Sequence, residues 1–191
     1  MVASRREAAR WWMALIALPP LLATALAVNG WRNIEELSRR GEWQVQPVAA
    51  DQVFAGAGWR LEQARLIGDG RDTKQIFPGQ MRLVIIRLSA EAKRDIGEDW
   101  GQCQLRLTDG KGHDWTPLDV ILSSDLSRDL DPRAEPLPGC SIASLHPPAK
   151  GESMLIEEKF VLPADAVPHL AVRLSFASTR PHAISIPLAL K

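Results

Sequence analysis

The chain has 191 residues, room for one domain of ordinary size and one further segment. Lys and Arg number 23 and so do Asp and Glu, so the formal net charge is zero. Without an excess of clustered cations the attraction to phosphates has no source, and no nucleic-acid partner is expected. With 46% apolar and 24% charged residues wholesale disorder is excluded, and two cysteines are too few for a disulfide-dense mini-protein or a four-cysteine zinc site.

Residues 11–28, WWMALIALPPLLATALAV, carry no charge. As a helix they reach about 27 Å, just enough for bilayer hydrocarbon. Trp11 and Trp12 at one end and Trp31 at the other suit an aromatic belt at the two interfaces. Pro19-Pro20 would break a soluble helix but is tolerated in a membrane span, where freed carbonyls find other donors. Two alternatives stay open. Ala25-Leu26-Ala27 has the form of a signal-peptide cleavage site, and a buried soluble helix would need both flanks hidden. Neither cysteine follows the run closely enough to carry a lipid.

The flanks set the orientation. Arg5, Arg6 and Arg10 precede the span and Arg32, Arg39 and Arg40 follow it, a tie that the free amino terminus and the acids Glu35, Glu36 and Glu42 tip toward an inside N-terminus. The expected organisation is a cytoplasmic tail over 1–10, a transmembrane helix over 11–30, and a juxtamembrane helical stalk over 31–41. An extracytoplasmic domain over 42–191, periplasmic or extracellular, completes it. In the stalk, Glu35/Arg39 and Glu36/Arg40 are i,i+4 pairs in the favourable order, and Gly41 is a suitable stop.

Beyond Glu42 a period of two replaces the helical period. Trp43–Gln46 reads as a first strand ended by Pro47, and Trp59 opens a second toward Ile67. Met81–Ala90, MRLVIIRLSA, is apolar on both faces and is expected to be central and covered. Cys103, Leu105 and Leu107 share one face of the next strand, and Asp109-Gly110-Lys111-Gly112 signals a hairpin. Three more stripes follow: Met154, Ile156, Phe160 and Leu162; Leu170, Val172, Leu174 and Phe176; Ile184, Ile186, Leu188 and Leu190. Seven or eight strands with almost no helix predict an all-β fold, two packed antiparallel sheets forming a β-sandwich. Residues 123–151, rich in proline, are expected to be an irregular surface excursion.

The N-terminal span, the strand with Trp59, the MRLVIIRLSA strand and the LRLTDGKGHDW hairpin together resemble bacterial membrane-anchored immunoglobulin-like domains of unknown function. The resemblance implies an immunoglobulin-like fold and a compartment, and no catalytic residue.

Chemistry-bearing residues are sparse. Cys103 and Cys140, 37 positions apart, have neither CxxC nor metal spacing. Outside the cytoplasm such a pair is expected to form a structural disulfide, the alternative being two free thiols. Asp125, Asp129, Asp131 and Glu135 could offer oxygen ligands to calcium, but the EF-hand pattern is absent and Arg128 and Arg133 offset the charge. His113, His146, His169 and His182 show no ligand spacing, and no nucleophile elbow, Walker loop or dinucleotide fingerprint occurs. Trp100, after Gly97-Glu98-Asp99, is the candidate partner contact if its ring is exposed. The expectation is therefore a non-enzymatic interaction module of the cell envelope, without cofactor or metal. It is anchored in lipid through 11–30 and binds an envelope protein. The alternative is a small-ligand or calcium-binding sandwich using the 123–151 loop.

Overall fold

In the computed structural model the described residues are 5–42, 44–48, 52–68, 70–71, 73–133 and 135–190. They fall into two units divided after Gly41. The first is one helix, α1, Arg5–Arg40, which continues through Pro19 and Pro20. Two proline rings remove two of the N–H donors that a helix otherwise offers to the preceding turn, while the Thr24 hydroxyl donates to the Pro20 carbonyl at 2.7 Å. Residues Ala9–Ile34 of α1 are long and apolar enough to cross a membrane. The expected tail, span and stalk are thus one uninterrupted helix from Arg5, with residues 1–4 outside the described ones. The Glu36–Arg40 pair forms; the Glu35 and Arg39 side chains lie outside the described residues.

The second unit holds two sheets. Strands β1 (Gln44–Pro47), β5 (Gln104–Thr108), β6 (Asp114–Trp115), β8 (Ala171–Ser175) and β9 (His182–Pro187) form one, in the order β1-β9-β8-β5-β6. Strands β2 (Val53–Phe54), β3 (Ala57–Ile67), β4 (Met81–Ala92) and β7 (Ser153–Pro163) form the other, in the order β2-β3-β4-β7. One hydrophobic core joins them. Val84, Ile86 and Leu88 of β4 and Ile156, Phe160 and Leu162 of β7 meet Leu105, Leu107, Val172, Leu174, Ile184 and Ile186 of the opposite sheet. Inward residues recur every second position because successive strand side chains point to opposite faces.

Three expectations need correction. There are nine strands among the described residues rather than seven or eight; the expected hairpin return is the two-residue β6, and the strand not expected is the two-residue β2. The pairing is not wholly antiparallel, since β1 runs parallel to β9, Gln44 facing His182 and Val45 facing Ala183. Trp43, the expected start of that strand, lies outside the described residues. Nor is the domain all-β: the expected irregular excursion folds into α2 (Val120–Leu130) and α3 (Cys140–Ala143). Asp119 caps α2, its Oδ1 accepting from the N–H groups of Ile121 and Leu122 at 2.9 and 3.0 Å.

Helix α2 explains why β4 is apolar on both faces. Val84, Ile86 and Leu88 face the main core, while Leu83 and Ile85 join Ile67 and Leu126 of α2 in a second cluster on the outer face. At the β5–β6 hairpin, Gly110 (φ +72°) and Gly112 (φ +98°) take backbone conformations that L side chains rarely adopt. The Asp109 carboxylate accepts from the Lys111 and His113 amides at 2.8 and 3.2 Å and meets His113 Nδ1 at 2.7 Å.

Candidate ligand cleft

Helix α3 packs against both β5 and β7, the residues leading into α2 meet β7 through the Leu118 N–H and the Lys159 carbonyl, and a cleft of about 380 Å³ opens among them. Gln104–Arg106 of β5 line it from the sheet. Residues 116–120 with Ser123 and Ser124 line it from the α2 side, and residues 137–142 from the α3 side. The volume falls within the range of about 300–1,000 Å³ that holds small ligands. Ser123, Ser124 and residues 137–142 of this wall belong to the segment in which only loop was expected.

Two acids line the cleft, and the buried one is Glu158 of β7. It occupies the inward register between Ile156 and Phe160, and only 8% of the residue is exposed. Its Oε1 accepts the N–H of Cys140 at 2.6 Å. Its Oε2 has no partner among the described residues, yet is not among their enclosed unpaired atoms, so it opens to the cleft. Burial pushes the Glu158 carboxyl above the usual range; the Cys140 amide and the Lys159 charge pull it partway back, and Glu157 adds to the rise. Gly139 permits this geometry, because a Cβ there would lie 2.9 Å from Glu158 Oε1. Glu158 was missed in the sequence although its position announced it: the stripe 154, 156, 160, 162 skips one member, and that member is an acid.

The two cysteines meet at the same place. Cys103 and Cys140 stand at disulfide distance, with Cα atoms 5.6 Å apart, tying α3 to the start of β5. Both line the cleft. On the opposite face of β7, beneath α2, Lys159 reaches Glu157 at 2.8 Å and the Ser123 hydroxyl at 3.2 Å, and Arg87 reaches Glu157 at 2.7 Å. Burial alone would raise the Glu157 carboxyl, but Lys159 and Arg87 outweigh it and hold it below the usual range.

Trp100 is not a surface contact. A 3-10 turn over Gly97–Trp100 swings the indole inward, leaving it 0% exposed. It stacks on Phe176 at 5.9 Å and tilts against Trp59 at 5.2 Å, and its Nε1–H donates to the Ala55 carbonyl at 3.0 Å. The acids before it suggested exposure, but in a 3-10 turn neighbours point in different directions, so Glu98 stays wet while Trp100 is buried. The acids expected as a calcium loop diverge. Asp125 pairs with Arg128, Asp129 with Lys74, and Asp131 accepts from its own turn at Arg133. Among the described residues no group of three or more His, Cys, Asp or Glu side chains converges.

Val120 and Ile142, which line the cleft, are exposed, and so are Ile121 beside Val120 and Leu145 just after α3. Comparisons with models of protein families, with curated proteins and with solved structures find no match to this chain.

Proposed function

We propose that this protein is a membrane-anchored, extracytoplasmic interaction module of the cell envelope, non-enzymatic, whose β domain docks another envelope protein over the cleft and its rim. The carrying observation is a concave opening whose lining leaves the apolar side chains of Val120 and Ile142 in water, with Ile121 and Leu145, near them in the chain, exposed as well. Anchorage is supported by α1, apolar on every side with Trp near both ends of the span. An extracytoplasmic position is supported by Arg5, Arg6 and Arg10 before the span and by the paired cysteines, which persist in oxidising compartments.

An immunoglobulin-like sandwich is part of the proposal. Taking β3, β4 and β7 as strands A, B and E, and β5, β6, β8 and β9 as C, C′, F and G, the neighbour orders A-B-E and G-F-C-C′ follow that plan. Among the described residues no strand D pairs with β7; its edge is met instead by the Leu118 N–H and the Pro138 carbonyl. The small-ligand reading is favoured by the cleft's volume and buried acid, and the docking reading absorbs it if the partner inserts a side chain.

Two experiments on the full chain test this. An alkaline-phosphatase fusion at the C-terminus should be active and a GFP fusion dark; the reverse pattern inverts the topology. A photo-crosslinking residue at Ile121 should trap a defined envelope protein in intact cells, and one at the exposed Ile76, away from the cleft, should not. Equal labelling at both positions refutes docking over the cleft.

A further inference from the structure

We infer that the cleft receives a lysine side chain of the docked protein, its ammonium held by Glu158 and its methylene stem by the apolar walls. The inference rests on the docking reading above. It begins from a cost: an acid at an inward register position, where β7 otherwise places Ile156 and Phe160, is expensive to bury without a partner. The protein supplies half a partner, the Cys140 amide on Oε1, and leaves Oε2 open to the cleft.

The charges lining the cleft favour a cation. They are Arg106, Asp119 and Glu158. One Asp119 oxygen is committed to the start of α2, and no ion pair joins Arg106 to Glu158. Behind the floor, Lys159 is already engaged by Glu157 and Ser123 and does not bond Glu158. The side chains of Leu137, Pro138, Val120 and Ile142 suit a hydrocarbon stem, and the Thr116, Ser124 and Ser141 hydroxyls offer further acceptors to an ammonium.

Geometry separates lysine from other cations. A guanidinium prefers both oxygens of a carboxylate, and here one is taken, whereas an ammonium is a point charge satisfied by a single oxygen. A lipid ethanolamine would bring its phosphate two carbons behind the ammonium, into a lining where two acids, Asp119 and Glu158, outnumber the one cation, Arg106. The exposed Val120, Ile121, Ile142 and Leu145 fit the apolar neighbours of a lysine in a protein segment.

The test uses the full chain in phosphatidylcholine nanodiscs, titrated by calorimetry with Nα-acetyl-lysine methylamide. Saturable binding is expected, weakened at least about tenfold in Glu158→Gln, a loss of about 1.4 kcal/mol. The variant keeps an oxygen for the Cys140 amide, and thermal unfolding verifies that it is folded. The Nε-acetylated probe and the arginine counterpart should bind at least as weakly as the lysine probe does to the variant. No saturable binding, unchanged affinity in Glu158→Gln, or equal affinity for either control overturns the assignment. Displacement of the probe by phosphatidylethanolamine in the nanodisc also overturns it, in favour of a lipid headgroup. The crosslink at Ile121 keeps the two ideas apart. If it forms in wild type and persists undiminished in Glu158→Gln, docking stands and the lysine assignment fails; if it never forms, docking itself fails.

Discussion

Replacing Trp100 by Ala measures whether this residue belongs to the core. The indole is fully buried, stacked on Phe176 and packed on Trp59, and hydrogen-bonded to Ala55. Truncating a buried Trp to Ala costs about 3–5 kcal/mol, because transfer free energy is lost and a cavity remains. The lost hydrogen bond, to a carbonyl on a half-buried residue, falls within the same figure at about 1 kcal/mol. A total near 4 kcal/mol is a large part of an ordinary stability of about 5–15 kcal/mol. At about 2–4 °C per kcal/mol for a domain of this size, the midpoint should fall by roughly 8–16 °C. Trp100→Phe, which keeps a ring against Phe176 but loses the donor and part of the volume, should cost about 1–2 kcal/mol. Equilibrium urea unfolding, followed by near-ultraviolet circular dichroism, gives both values. An Ala variant within about 0.5 kcal/mol of wild type, the range of ordinary surface substitutions, would refute the burial argument.

Two further outcomes are expected. Removing both thiols, Cys103→Ala with Cys140→Ala, should cost about 4 kcal/mol on the chain-entropy relation for a 37-residue separation and speed amide exchange in α3; a loss below about 1 kcal/mol would leave the tether without energetic weight. Asp109, whose carboxyl is held down to about 2 chiefly by the His113 hydrogen bond, with burial opposing and the Lys111 and His113 amides assisting, contributes stability that is complete above its ordinary 3.8 and is lost as pH falls through about 2. Asp109→Asn should therefore be less stable than wild type at neutral pH, with the gap closing between 3.8 and about 2; a gap independent of pH would contradict it.

Much of the architecture was legible residue by residue. The apolar run announced α1 because uninterrupted hydrophobicity over a membrane's thickness is local information. The stripes at 170–176 and 184–186 became buried faces of β8 and β9, since alternation survives whatever the partner strand is. The double-sided MRLVIIRLSA run correctly implied a covered central strand, but its outer cover, α2, was read as loop. VILSSDLSRDL has only 11 residues, serines and aspartates that compete with helix, and a narrow apolar edge, so its helicity depends on docking Leu126 beside Leu83 and Ile85. The parallel pairing of β1 with β9 joins residues far apart in sequence, and no local pattern encodes it. Trp100 and Glu158 show the same division from opposite sides. A polar neighbourhood in sequence suggested a wet tryptophan that a single turn buries, and an apolar stripe hid an acid that the fold aims into a cleft. Alternation determined which face each side chain takes; only the tertiary structure decided whether that face meets core, helix or an opening, because burial depends on what distant segments bring to it.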